Sequence, residues 1–292
     1  MQDLSPRLIK RIKQIKLVAS DLDGTLLDDE GKLSKATHDA VWKLKGLGMN
    51  FAIMTARAHS SAERIADQLD LQMPIISLDG GLVRLPHNKE NIFASYIKPQ
   101  VVRTAIEESE KRFANISIFA DDKMVCRESE RIVPGYIDNF ELDTVEVDDL
   151  NSVADRTIQL IIYADAKQTI TSIARKVGGF FQRIDIKIYK SSHHDDLWYL
   201  EIKNKSHSKA TGLAHLEKFL NINKSEVAVL GDFQNDIQAF EHAGIGVAMK
   251  NAVWELKERA DYITEASNGE DGAAEFLELI YKLRVNHQDR HK

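Results

Sequence analysis

The chain has a single cysteine, Cys126, in 292 residues. One thiol closes no internal disulfide and has no partner for a CxxC metal or redox pair, which excludes a disulfide scaffold and fits a reducing, cytoplasmic setting. Proline is scarce as well, at 5 residues, and no low-complexity tract or short internal repeat interrupts the chain. Long apolar runs are also missing. The strongest stretch, Ile158 to Ala164, is broken by Gln159 and is only strand-sized, so a membrane span is excluded. Nor is positive charge in excess: the 39 Lys and Arg stand against 45 Asp and Glu, a net charge of -6. That balance gives no global basic field for nucleic acid, and a small anionic substrate needs a local positive site.

What is present describes a globular protein. Hydrophobic residues make up 43% and charged residues 29%, and the length predicts two domains or one domain with a large insertion. The basic leading segment, Arg7 to Lys16, sets Leu8, Ile12 and Ile15 near helical spacing but has no apolar signal-peptide core. It reads as a short helix or strand packed on the body, with a membrane-surface helix as the alternative, and export is not expected.

Periodicity gives the organisation. Ile15–Asp23 reads as a buried strand ending in a polar turn, Ser34–Leu47 as a helix, Met49–Thr55 as a strand, Ser60–Leu71 as a helix and Pro74–Leu78 as a third strand. This βαβαβ series implies an α/β fold with a parallel sheet, whose ligands bind at the carboxyl ends of the strands. After Gly80-Gly81 the pattern changes to short strands at Ile92–Ile97, Ile116–Ala120 and Thr157–Ala164, helices at Gln100–Phe113 and Lys167–Val177, and a β-rich run Phe180–Tyr189. The βα alternation is expected to resume at Trp198–Ile202 and to close with helices at Ala252–Arg259 and Asp271–Leu283. The expectation is a Rossmann-like parallel-sheet core, residues 1–82 and 190–292, with an inserted α+β cap domain at residues 83–189.

Four strand-end groups carry chemistry. Asp21-Leu22-Asp23-Gly24-Thr25 follows a buried strand, and in extended geometry its two carboxylates leave the same face. Two such charges repel unless a cation or proton lies between them, and hard oxygen ligands favour Mg²⁺ over zinc. Gly24 permits the sharp turn and the close approach of backbone N–H groups to an anion. Thr55 ends the second strand, where its hydroxyl can hold a phosphate oxygen. Lys209 opens a helix, a position that disfavours a cation unless an anion is near. Gly231-Asp232-Phe233-Gln234-Asn235-Asp236 follows the apolar run Val227–Leu230 and offers a further metal carboxylate at Asp232, with Asn235 and Asp236 able to contact phosphate, water or Lys209. Taken singly, each of these is also an ordinary loop acid, helix cap or surface lysine.

Jointly, in the order acid pair, hydroxyl, lysine, acid cluster, the set resembles the haloacid dehalogenase superfamily and, within it, the Cof-type hydrolases with an α/β cap inserted between the second and third motifs. The resemblance spans nearly the whole chain, including Val247–Ala252 and Ala260–Thr264. It implies a phosphoric monoester hydrolase acting on small phosphorylated metabolites such as sugar phosphates. By that resemblance Asp21 is the nucleophile and a Mg²⁺ ligand, and Asp23 is the general acid/base, whose backbone carbonyl also binds metal. Thr55, Lys209 and Asn235 hold the phosphate, Asp232 is the third metal ligand, and Asp236, Gly24 and Arg57 support them.

The chain departs from the family pattern in Thr55-Ala56-Arg57 where Thr-Gly-Arg is usual, in Asp79-Gly80-Gly81 where Asn-Gly-Ala is usual, and in the bulky Phe233. None removes a catalytic group. His193-His194-Asp195-Asp196 reads as a polar linker, since adjacent side chains on an extended chain point apart, although it can line the substrate mouth. Trp42 and Trp254 are expected in the core. A phosphomutase and a non-catalytic phosphometabolite-binding module are the competing readings; a phosphate-driven ion pump needs membrane helices the chain lacks. The substrate itself and the oligomeric state are not written in these motifs.

Overall fold

The computed structural model describes residues 4–127, 142–179, 183–191 and 196–288. In chain order its elements are α1 (Pro6–Gln14), β1 (Leu17–Ser20), α2 (Lys35–Gly46), β2 (Asn50–Ile53), α3 (His59–Gln68), β3 (Ile75–Ser77), β4 (Leu82–Arg84) and β5 (Asn91–Ala94). There follow α4 (Pro99–Glu110), β6 (Asn115–Ala120), β7 (Lys123–Cys126), β8 (Thr144–Glu146), β9 (Thr157–Ala164), α5 (Lys167–Gly178), β10 (Ile184–Lys190) and β11 (Trp198–Asn204). The last stretch holds α6 (Lys209–Leu220), β12 (Val227–Gly231), α7 (Ile237–His242), β13 (Ile245–Ala248), α8 (Trp254–Lys257), β14 (Tyr262–Ile263) and α9 (Gly272–Gln288). Among the described residues no helix is long and apolar enough to cross a membrane.

The chain folds as two compact units, one of Met1–Ala56, Ala62–Ile92 and Ser208–Lys292, the other of Arg57–Ser61 and Phe93–His207. The first is built on a five-stranded parallel sheet in the order β14-β13-β12-β1-β2. Its central strands read Leu-Val-Ala-Ser and Val-Ala-Val-Leu-Gly and are buried at every position. This is the near-continuous apolar pattern of strands covered on both faces. Because β1 lies between β12 and β2, with Leu17 opposite both Val227 and Asn50, three chain segments distant in sequence end side by side. The leading segment is a helix, capped by Ser5, with Ile12 and Ile15 wholly buried in this unit. Arg11 ties it to Asp261 at 2.6 Å.

The second unit holds a six-stranded sheet in the order β10-β11-β9-β6-β7-β8, antiparallel except for β7 with β8. Its core gathers Val102, Ile106 and Ile118 with Leu160, Ile173 and Leu200. The fold class is therefore α/β, a parallel-sheet core with an added antiparallel-sheet unit.

Three expectations are corrected. Trp198–Ile202 does not resume the parallel alternation: β11 pairs antiparallel with both β9 and β10, because its Tyr199, Leu200 and Ile202 bury into the second unit's sheet. The third strand, β3, joins β4 and β5 in a separate three-stranded sheet, and a parallel bridge, Met54 with Ile76, links it to the chain beyond β2. The two tryptophans are surface residues, at 46% exposed for Trp42 and 67% for Trp254. Trp42 is occupied there by the Lys45 ammonium, 4.6 Å from its ring centre, which repays a polar setting that helical spacing does not reveal. The His193-His194 pair lies outside the described residues.

One close approach fixes where α6 begins. Gly80 has φ +89°, and a Cβ there would lie 2.0 Å from the Ser208 carbonyl oxygen and 3.0 Å from the Lys209 nitrogen. Only a residue without a side chain lets α6 start against this turn. Gly80→Ala is accordingly expected to cost about 3 kcal/mol, from left-handed strain plus overpacking, read as a lowered urea midpoint. A midpoint equal to that of the parent protein would show that α6 does not depend on this contact.

Candidate active site

The site is assembled at the carboxyl ends of β1, β2 and β12 and the start of α6. Asp21 follows β1 directly, and its amide donates to the Leu230 carbonyl at 3.0 Å, so the sheet ladder itself places it. The residue is 6% exposed. Oδ1 accepts from the Leu22 amide at 2.8 Å, and Oδ2 lies 2.8 Å from Lys209 Nζ. Gly24, at φ +72°, turns the chain away; a Cβ there would sit 2.3 Å from Asp232 Oδ2, so a glycine is what lets this loop and the Asp232 loop touch. Thr25 Oγ1 donates to Asp232 Oδ1 at 3.2 Å and links the two loops.

Lys209 is the first residue of α6, behind the Ser208 cap whose hydroxyl accepts from the Thr211 amide at 3.2 Å. The side chain is 0% exposed, and its ammonium sits between Asp21 and Asp236, at 2.8 and 2.7 Å. Burial pulls the ammonium toward losing its proton. The carboxylates of Asp21, Asp236 and Asp79 outweigh that, and Lys209 is held charged well above the usual lysine range. Asp236 is wholly buried and fully engaged: Oδ1 takes Lys209, and Oδ2 accepts the Asp232 and Phe233 amides at 3.1 and 3.2 Å. Asn235 donates from Nδ2 to Asp79 Oδ1 at 2.8 Å.

Of the residues singled out in the sequence, Asp21, Lys209, Asp232 and Asp236 come together in the first unit. Thr55 is buried at the end of the neighbouring strand, its amide on the Ile76 carbonyl at 2.8 Å. Asp23 is exposed on the loop two residues after Asp21. Arg57 lies in the short segment that folds with the second unit. Sequence reading missed the supports. Asn251 donates to the Gly24 carbonyl at 2.8 Å, and Asn268 to the Leu27 carbonyl at 3.0 Å, and so both hold the Asp21 loop from the far end of the chain. A lone loop asparagine carries no signal that would separate these two from ordinary turn residues.

The donor set fits a divalent cation. Carboxylate oxygens of Asp21, Asp232 and Asp236 lie within 4.8 Å of one another, all hard ligands. Since Asp236 is committed to Lys209 and backbone amides, Asp21 and Asp232 are the two carboxylates left to hold the ion. In both, burial favours the protonated carboxyl. Burial pushes the Asp21 carboxyl well above its ordinary value, with Lys209 pulling the other way. Burial first, and then the Asp236 carboxylate, push Asp232 up to about 6 against the opposing Thr25 hydrogen bond.

A family profile described as haloacid dehalogenase-like hydrolase matches residues 18–277. The chain belongs to that family. The hydrolase is 26% identical to the 5-amino-6-(5-phospho-D-ribitylamino)uracil phosphatase YitU of Bacillus subtilis, over 91% of this chain and 98% of that one. It is 26% identical to the phosphatase YwpJ of the same organism, over 91% and 100%. Among solved structures, a haloacid dehalogenase-like hydrolase from Bacteroides thetaiotaomicron superposes with a TM-score of 0.78 at 25% identity, over 91% of this chain and 99% of that one. The Thermotoga maritima protein TM0651 gives 0.78 at 26%, over 91% and 97%. The resemblance read from the motifs is borne out, and the hydrolase is a phosphoric monoester hydrolase.

The raised Asp232 carboxyl sets a pH dependence whose sign follows from linkage. In the folded protein it binds its proton more tightly than at its ordinary 3.8, so its contribution to stability is present at low pH and is lost as pH rises through about 6. A divalent cation held by Asp232 would replace that proton and restore the loss. Added MgCl₂ is therefore expected to raise Tm strongly at about pH 7.5 and little at about pH 5. Equal shifts at both would contradict a cation held by Asp232.

Proposed function

We propose that the hydrolase is a Mg²⁺-dependent phosphatase of small phosphorylated metabolites, sugar phosphates in kind, working in the cytoplasm through an aspartyl-phosphate on Asp21 with Asp23 as general acid/base. The observation that carries this reading is the buried Asp21 carboxylate, oriented by the Leu22 amide and paired with a wholly buried lysine. A carboxylate nucleophile must be aimed and shielded from water, and this arrangement meets both needs, while the Lys209 ammonium opposes the proton that burial favours.

In the proposed reaction an Asp21 oxygen forms a bond to phosphorus as the ester P–O bond breaks, and Asp23 gives its proton to the leaving alkoxide. Asp23 then takes a proton from water, whose oxygen attacks phosphorus and breaks the Asp21 O–P bond, releasing phosphate. Lys209 spends two of its three hydrogens on Asp21 and Asp236, which leaves one for a phosphoryl oxygen. Thr55 supplies a second phosphoryl contact. Asp21, Asp232 and the Asp23 carbonyl would hold Mg²⁺, which would supply positive charge to offset that gathering on the transferring group. The second unit is assigned the role of a substrate-selecting cap. Because two B. subtilis relatives are named phosphatases of a phosphoribitylaminouracil, phosphorylated ribityl compounds are the first substrates to screen.

With a generic aryl phosphate and MgCl₂, release of inorganic phosphate is expected, and it should fall by at least about 10³-fold in Asp21→Asn. Retained turnover in that variant would refute the nucleophile. Asp23→Asn should keep Mg²⁺ binding, measured by calorimetry, yet lose the pH–rate dependence of the parent enzyme; an unaltered pH–rate profile would remove Asp23 from the proton transfers.

A further inference from the structure

Three successive residues after β3, Leu78, Asp79 and Gly80, have φ of +49°, +52° and +89°. A left-handed leucine costs roughly 1–2 kcal/mol, so this turn persists only because its surroundings hold it. Two of the holds are on Asp79. Its amide donates to the Thr55 carbonyl at 3.0 Å, and its Oδ1 accepts from Asn235 Nδ2 at 2.8 Å. The turn thus connects the residue that ends the second strand to the residue beside Asp236.

The chemistry of that second contact fixes an orientation. An ionised carboxylate only accepts hydrogen bonds, whereas the Asn235 amide presents a donor on one side and an acceptor on the other. Asp79 can be satisfied by the NH₂ side alone. The opposite side, Asn235 Oδ1, is buried and accepts no hydrogen bond among the described residues. Leaving such an oxygen empty costs about 1–3 kcal/mol, and a flip of the amide would set two oxygens against each other.

We infer that Asp79 is a positioning residue for the phosphatase reaction: its carboxylate locks the Asn235 amide so that Oδ1 is presented as an acceptor to an O–H donor arriving with the substrate. This rests on the phosphatase reading of the site. A dianionic phosphoryl group has no hydrogen to give, so Oδ1 is not its contact; the partner of Oδ1 is a substrate hydroxyl or a water carried in with it. With an asparagine at position 79 the lock is lost, because a neutral amide can donate to Asn235 Oδ1 as readily as it accepts from Nδ2.

The test pairs kinetics with a signal that needs no turnover. Asp79→Asn keeps the size of the side chain and a residue type that tolerates positive φ, so the fold is expected to stand. In the full-length protein without metal, the Asn235 side-chain amide protons, assigned by their loss in Asn235→Ala, should be shifted downfield and slow to exchange. In Asp79→Asn they should move upfield and exchange fast. The same variant should lose about 10-fold in kcat with KM little changed for a hydroxyl-bearing sugar phosphate, and should lose nothing further in an Asn235→Ala background. Unaltered Asn235 amide signals, or an Asp79→Asn loss that simply adds to that of Asn235→Ala, would overturn the inference. Absence of phosphate release by the parent protein would instead defeat the phosphatase reading, and the amide signals would still report on the lock.

Discussion

A lysine ammonium with no solvent contact, held between two carboxylates, is the constraint on which the rest of this site depends. Burying a charge costs several kcal/mol per ion, and attraction offsets that only when the geometry is close and the remaining groups are satisfied. Lys209 meets this condition at 2.8 and 2.7 Å, and Asp236 meets it in turn by spending its second oxygen on two backbone amides. The helix dipole at the start of α6 works against a cation there, so the pairing has to be strong enough to override it. What results is a rigid positive charge fixed against Asp21. Removing one partner from such a buried set is worth about 3–5 kcal/mol, which ties the integrity of the fold to the integrity of the site.

The sheet order explains how residues so far apart in sequence reach one lysine. With β1 between β12 and β2, the chain after each strand emerges at the same edge, and Asp21, Thr55 and Asp232 follow three adjacent strands. Ligands in open parallel sheets gather where strands end and connections diverge, and this sheet obeys that rule. The glycines at 24 and 80 then set distances rather than directions: each removes a side chain that would collide with the loop or helix carrying its neighbour in the site. Asn251 and Asn268 close the assembly from the last part of the chain.

Much of this was legible in the sequence, for identifiable reasons. The central strands are apolar but for Ser20 and are followed at once by acids, and Lys209 stands at a helix start where a lysine is out of place; both are local signals that survive without a structure. Strand partnership is not local. Tyr199, Leu200 and Ile202 look like any buried strand, and only pairing with β9 and β10 assigns them to the antiparallel sheet. β3 reads as a third parallel strand because its length and apolarity are right, yet the turn at Gly80 sends the chain back beside it as β4. The hydrogen bond from Asn235 to Asp79 spans 156 residues and involves two residue types common in turns, so nothing in the pattern announces it. Trp42 and Trp254 misled for a related reason: helical spacing gives a face, but not what covers it.

The proposed function turns on a covalent bond between phosphorus and Asp21. The most direct measurement is acid quenching during steady turnover, followed by borohydride reduction, which converts an acyl-phosphate aspartate to homoserine, and sequencing of the tryptic peptides by mass spectrometry. The account predicts homoserine at position 21, dependent on substrate and absent elsewhere. Rapid phosphate release with no conversion at position 21, or conversion at another carboxylate, would contradict it.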